Sequence, residues 1–260
     1  IGVPSIIQTF AGNCVTFLTV CGKIVSLKYF PNVFNVGLLT VKGKYQFWER
    51  FLKYELDKYL SGRSGENEKE LPLYLSENQG YIHYNKGSLV MYALKDYVGE
   101  EVVNSALKTY LNKVGFQDAP FTTSIEFLET LKSKVSPKYY SLVDDMFKNI
   151  VLFENRPLEA KYKKLDNGNY QVTLKVDCKK YYADEDGKEE AQAFKSPIYI
   201  GVEDSKGEFL YLKKHELKNG VNELVLEVKE LPHKAGVDPL NILVDKNPGD
   251  NQIKIYENAG

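Results

Sequence analysis

From Tyr45 onward, apolar side chains recur largely at three- and four-residue steps, at Phe47, Phe51, Leu52, Tyr54, Leu56 and Tyr59, while Glu49, Lys53 and Lys58 fall between them. That is the period of an amphipathic helix with one buried stripe. The polar, Gly-containing stretch 61–70 that follows predicts an exposed loop. A second helix is expected to begin near Asn85 and run through Leu89, Val90, Ala93, Leu94 and Tyr97 to Gly99, a residue suited to end it. Val102, Val103, Ala106, Leu107, Tyr110 and Leu111 mark a third, over 100–113. Thr123 and Glu126 have capping-box spacing, which starts a helix through Leu128 and Leu131 because hydroxyl and carboxylate satisfy each other's orphan backbone donors. Ser136-Pro137 opens one more, to about Ile150.

After Pro157 the period shortens from about 3.6 to 2. Strands are expected at 159–164, 170–176, 197–202, 209–213 and 223–228, with turns at Asp166-Asn167-Gly168 and Ser205-Lys206-Gly207. The fold class is therefore α+β in two parts, a helical region over 43–155 and a small antiparallel β-sandwich over 158–256. Residues 1–42 form a leader without sustained periodicity, broken by Asn13, Gly22, Pro31, Asn32 and Gly37.

Charge sharpens that division. The chain of 260 residues has a formal net charge of -1, which argues against a nucleic-acid partner. Residues 1–48 nevertheless carry Lys23, Lys28, Lys42 and Lys44 and no acidic side chain. With 19 Tyr and 13 Phe against one Trp, the cores must be filled largely by aromatic rings, and buried phenols need partners. Cys14, Cys21 and Cys178 are odd in number and lack C-x-x-C spacing, so no disulfide framework or thiolate metal site is implied. Cys14 and Cys21, two helical turns apart, read as buried thiols. The apolar run 14–22 falls short of the 18 or so residues of a spanning helix, and 1–9 lacks the basic start of a signal peptide, so the chain reads as a soluble domain.

His83, His215 and His233 are isolated from one another, with no H-E-x-x-H and no one-turn pair, so a helical zinc site is not encoded. There is no G-x-S-x-G, Walker loop or G-x-G-x-x-G either. The acidic run 184–190 lacks the alternating ligands of an EF-hand and reads as a solvated hairpin loop. His215 and His233 read as exposed, Lys86 as a surface cation, Glu77 and Asn78 as turn-capping loop residues, and His83 as lying opposite Tyr84.

The most informative segment is Tyr81-Ile-His-Tyr84-Asn-Lys86-Gly87-Ser-Leu-Val-Met-Tyr92. Its Tyr-x-Lys-Gly at a helix start, followed by an apolar helix, resembles the corresponding segment of the aminopeptidase N-type zinc metallopeptidases, the gluzincins. Residues 50–59, Ala119-Pro-Phe-Thr-Thr-Ser124 and Ala235-Gly-Val-Asp-Pro-Leu-Asn241 with Asp250-Asn251 agree with it. Together they are most similar to peptidase-like domains fused to permeases of bacterial ABC transporters. The resemblance spans about 43–256.

In that family the Tyr donates a hydrogen bond to the oxyanion of the tetrahedral intermediate, a role that falls on Tyr84. The resemblance also implies zinc in a complete parent domain, a peptide substrate, an upstream catalytic half and a membrane permease as partners. It further implies a parent associated with a bacterial membrane. The family's H-E-x-x-H and its later Glu precede the Tyr, and residues 1–48 contain neither His nor Glu. Hence no cofactor is expected in this chain, no metal residue is assigned, and no peptidase activity is expected from it alone. Two readings stay open, the later half of a zinc aminopeptidase-like domain and a non-catalytic peptide- or protein-binding module attached to a transporter.

Overall fold

A computed structural model describes residues 41–76 and 78–258, with side chains from Glu49 onward. Residues 1–40 of the leader, Cys14 and Cys21 among them, and Glu77 lie outside the described residues. Among the described residues five α-helices precede nine strands: α1 (Val41–Gly65), α2 (Gly87–Val98), α3 (Glu100–Val114), α4 (Ser124–Lys134) and α5 (Tyr140–Lys148), then β1 (Ile150–Lys164) to β9 (Tyr256–Glu257). The chain is thus α+β, with helices leading into strands as the periodicity predicts. It divides into two compact units. One comprises Tyr54–Val151 and Ala183–Lys188; the other comprises Lys42–Lys53, Leu152–Tyr182 and Glu189 onward.

In the helical unit the core follows the helical period. Val103, Ala106, Leu107 and Tyr110 of α3 stand at i, i+3, i+4 and i+7 and are all buried, as are Leu128 and Leu131 of α4. They share one apolar cluster with Leu73, Ile82, Leu94, Phe127, Val143 and Phe147. The capping box at α4 forms: Glu126 N–H donates to Thr123 Oγ1 at 3.4 Å and Thr123 N–H donates to Glu126 Oε2 at 3.1 Å. The buried Tyr110 phenol lies 3.0 Å from Thr122 Oγ1, so α3 is tied to the approach of α4.

Two expectations change here. The first helix does not stop at Tyr59 but continues to Gly65, and Glu70, read as part of an exposed loop, is 5% exposed. The helix expected to begin near Asn85 is preceded by a six-residue π-helical turn, Tyr81–Lys86. Propensity predicts neither, because both depend on partners far away in sequence.

The second unit contains two sheets. One has the order β3-β2-β1-β9, with β6 (Gly220–Val228) also paired to β2 (Tyr170–Ala183). The other has the order β5-β4-β7-β8, in which β4 is Lys195–Glu203, β5 is Phe209–Lys218, β7 is Lys234–Val237 and β8 is Gln252–Lys254. Val172, Leu174, Val176 and Cys178 of β2 alternate into a cluster shared with Ile198, Ile200 and Val202 of β4, so the two sheets enclose one core. β1 pairs with β9 in parallel, Lys161 opposite Tyr256. Gly168 takes φ 85° in the turn between β1 and β2, a conformation that Gly adopts without strain.

β1 begins nine residues before the expected strand, at Ile150, because its first residues are buried in succession and show no alternation. The short strands β3, β7, β8 and β9 are not among those the alternation predicts. β7 explains the Gly in Ala235-Gly236-Val237: a Cβ at Gly236 would meet the Asn251 carbonyl oxygen at 2.1 Å. Val237 N–H donates to that same oxygen at 2.9 Å. Asp238 then accepts from Ile242 N–H and Leu243 N–H, at 3.0 and 2.9 Å. The quoted motif and Asp250-Asn251 are therefore adjacent, and their visible work is structural. His215 and His233 are half-buried, not exposed. His215 Nε2 lies 2.7 Å from the Tyr211 hydroxyl.

Candidate functional site

The π-helical turn places Tyr84 at 47% exposure between two fully packed neighbours, Ile82 at 0% and Lys86 at 2%. A π-helical turn closes i→i+5 hydrogen bonds and is wider than an α-turn; such turns are rare and concentrate at functional positions. His83 does not lie opposite Tyr84. The two rings pack at 4.3 Å between centroids, tilted by 59°. Burial lowers the His83 pKa, and its Nδ1 is buried without a hydrogen bond.

Lys86 is not a surface cation. Its Nζ lies 3.7 Å from Glu70 Oε1 and 5.2 Å from the centroid of the Tyr59 ring. Glu70 is in turn held by the Tyr59 hydroxyl, which donates to Oε1 at 2.5 Å, and by Arg63 Nε, which donates to Oε2 at 2.6 Å. Its backbone N–H donates to the Glu185 carbonyl at 2.9 Å. Burial pulls the Lys86 pKa down while the Glu70 carboxylate pulls it up; burial prevails. Burial, reinforced by Glu70, raises the Tyr59 pKa well above that of an ordinary phenol, so Tyr59 stays a neutral donor.

These partners come from one face of α1. Glu55, Tyr59, Gly62 and Arg63 stand at i, i+4, i+7 and i+8, in line along a helix. Asn85 Nδ2 donates to Glu55 Oε2 at 2.8 Å. Gly62 permits the closest approach, since a Cβ there would meet Tyr81 Cβ at 2.3 Å. Tyr81 stacks on Tyr59 at 6.0 Å, and its own phenol is pushed up to about 12 by burial and then by Glu70 and Glu66.

Beside this cluster lies a cleft of about 270 Å³ bordered by Arg63, Glu66, Lys69, Tyr81, Glu185 and Asp186 among others. Lys69 pairs with Glu185 and reaches Asp186 at 3.7 Å. The acidic turn 184–188 is exposed as expected, and it also forms one wall of the cleft. Tyr84 does not border it.

Among the described residues no three His, Cys, Asp or Glu side chains converge on a point a metal ion could occupy. The described residues therefore supply no ligand set for the zinc that the resemblance implies in a complete parent domain. No described helix is long and apolar enough to cross a membrane.

No protein-family model matches this chain, and no curated protein matches it. Among solved structures it is similar to an aminopeptidase A of Legionella pneumophila in complex with aspartic acid. The identity is 14% and the TM-score 0.40, over 76% of this chain and 21% of that one. The chain thus spans about a fifth of that protein's length. An overlap at this level does not identify a family.

Glu70, Tyr59 and Arg63 are site residues that no motif in the sequence marks. The signal was present in the spacing of 55, 59, 62 and 63 along α1, but only the fold brings Glu70 and Lys86 onto that face.

Proposed function

We propose that this chain is the later part of a peptidase-like domain, whose complete form removes residues from the N-terminus of peptides by metal-assisted hydrolysis. In this reading Tyr84 donates its phenolic hydrogen to the oxygen of the scissile carbonyl as that oxygen gains charge. Water adds to the carbonyl carbon, the C–N bond breaks, and the leaving amine takes a proton. One well-aimed donor lowers such a barrier by about 3–4 kcal/mol in a site shielded from water. The metal-holding residues belong, on this reading, to sequence upstream of residue 1, in an H-E-x-x-H helix.

The observation that supports it is the placement of Tyr84: a half-exposed phenol on a π-helical turn whose neighbouring residues are anchored. A loose surface tyrosine would aim nowhere in particular. Together with the Tyr-x-Lys-Gly resemblance, that placement favours a donor role over a packing role.

The test is made on the complete gene product. Stoichiometric metal and hydrolysis of an aminoacyl p-nitroanilide are expected, with kcat falling about a hundredfold or more in Tyr84→Phe. An upstream region that lacks the paired His, or wild-type protein without turnover, would overturn the hydrolytic reading in favour of a non-catalytic binding module.

A further inference from the structure

A π-helical turn has a competitor, because the same residues can wind as α-helix, and losing the extra residue turns every side chain before it by about 100° around the axis. Tyr84 would then face elsewhere. The chain opposes that rewinding at three places, against α1 and the segment just after it: Tyr81 closes over Gly62, Asn85 donates to Glu55, and Lys86 reaches Glu70 and the Tyr59 ring. The third differs in kind, since it takes an ammonium almost fully out of water. A buried ion pair is a poor way to gain stability, and the best-attested use of such a group is to fix register.

We infer that Lys86 is a positioning residue for Tyr84, its ammonium setting the register of the turn through Glu70 and Tyr59. A long apolar side chain fills the same volume but fits neighbouring registers about equally well, whereas a cation has one carboxylate to reach. Glu70 is a suitable receptor because Tyr59 and Arg63 already hold it still. The inference rests on the role proposed above for Tyr84 as far as turnover is concerned. The geometry of the turn can be read without it.

Two measurements test it. The first is amide hydrogen exchange across residues 81–87. Lys86→Met is expected to speed exchange there at least tenfold, while Tyr84→Phe leaves it unchanged. Should Lys86→Met fail to fold, the same measurement is made in Lys86→Met/Glu70→Gln, which leaves no unpaired charge from that pair. The second is hydrolysis by the complete gene product: Lys86→Met should lower kcat at unchanged KM, and adding it to Tyr84→Phe should cost nothing further. Unchanged exchange at 81–87, or losses that multiply in the double variant, would overturn the inference. If the wild-type protein shows no turnover, the hydrolytic reading falls and exchange alone decides the register claim.

Discussion

Lys86 Nζ lies 3.7 Å from Glu70 Oε1, and both side chains are at least 94% excluded from solvent. Glu70 is the hub of this cluster, since Arg63 and Tyr59 bond to it as well. The partners are therefore not equivalent. Glu70→Gln leaves two cations facing a neutral amide and should destabilise the helical unit by about 3 kcal/mol. Lys86→Met leaves Glu70 with two partners and should cost less, and the double variant should recover part of the Glu70→Gln loss. Urea unfolding of the four proteins measures this; additive losses would show that the pair is not coupled.

Gly62 should tolerate no side chain. The nearest atom to an added Cβ is Tyr81 Cβ at 2.3 Å, and that atom is fixed to the backbone of the π-helical turn. Gly62→Ala is expected to cost about 1–3 kcal/mol despite the better helix propensity of Ala. A melting temperature at or above that of the wild type would show that the turn yields readily.

The α4 capping box gives a local prediction. Thr123→Ala removes the acceptor for Glu126 N–H and should cost about 1 kcal/mol, with faster amide exchange confined to the first turn of α4. Thr123→Ser should be close to neutral.

Asp245 makes stability depend on pH in the second unit. Its carboxylate is 0% exposed, and burial raises its pKa to about 7 against the bonds it accepts from Asn247 N–H and Asn155 N–H. The folded state thus favours the protonated form. That contribution is complete below the ordinary value of 3.8 and is lost as pH rises through about 7. The stability of wild type relative to Asp245→Asn should therefore shrink between about pH 4 and 8, as chemical unfolding at several pH values would reveal. A difference independent of pH would contradict it.

Much of the fold was legible because it rests on local rules. Val103, Ala106, Leu107 and Tyr110 carry their helix in their spacing, and Val172, Leu174 and Val176 carry their strand in alternation. Thr123 and Glu126 announce their cap. Where burial is two-sided, as at the start of β1, alternation vanishes and the strand goes unread. Short strands such as β7 and β8 exist only because a partner crosses them.

The candidate site divides the same way. A local motif and a resemblance single out Tyr84, whereas nothing local to Lys86 signals that a carboxylate sixteen residues earlier is buried beside it. Hydrophobic period and caps by themselves determined that helices lead into strands, and where most of them lie, since each depends on neighbours within a few residues. The π-helical turn, the burial of Glu70 and the half-exposure of Tyr84 were decided only by tertiary structure. They depend on which charges meet out of water, and that energy is settled between segments that the linear chain keeps apart.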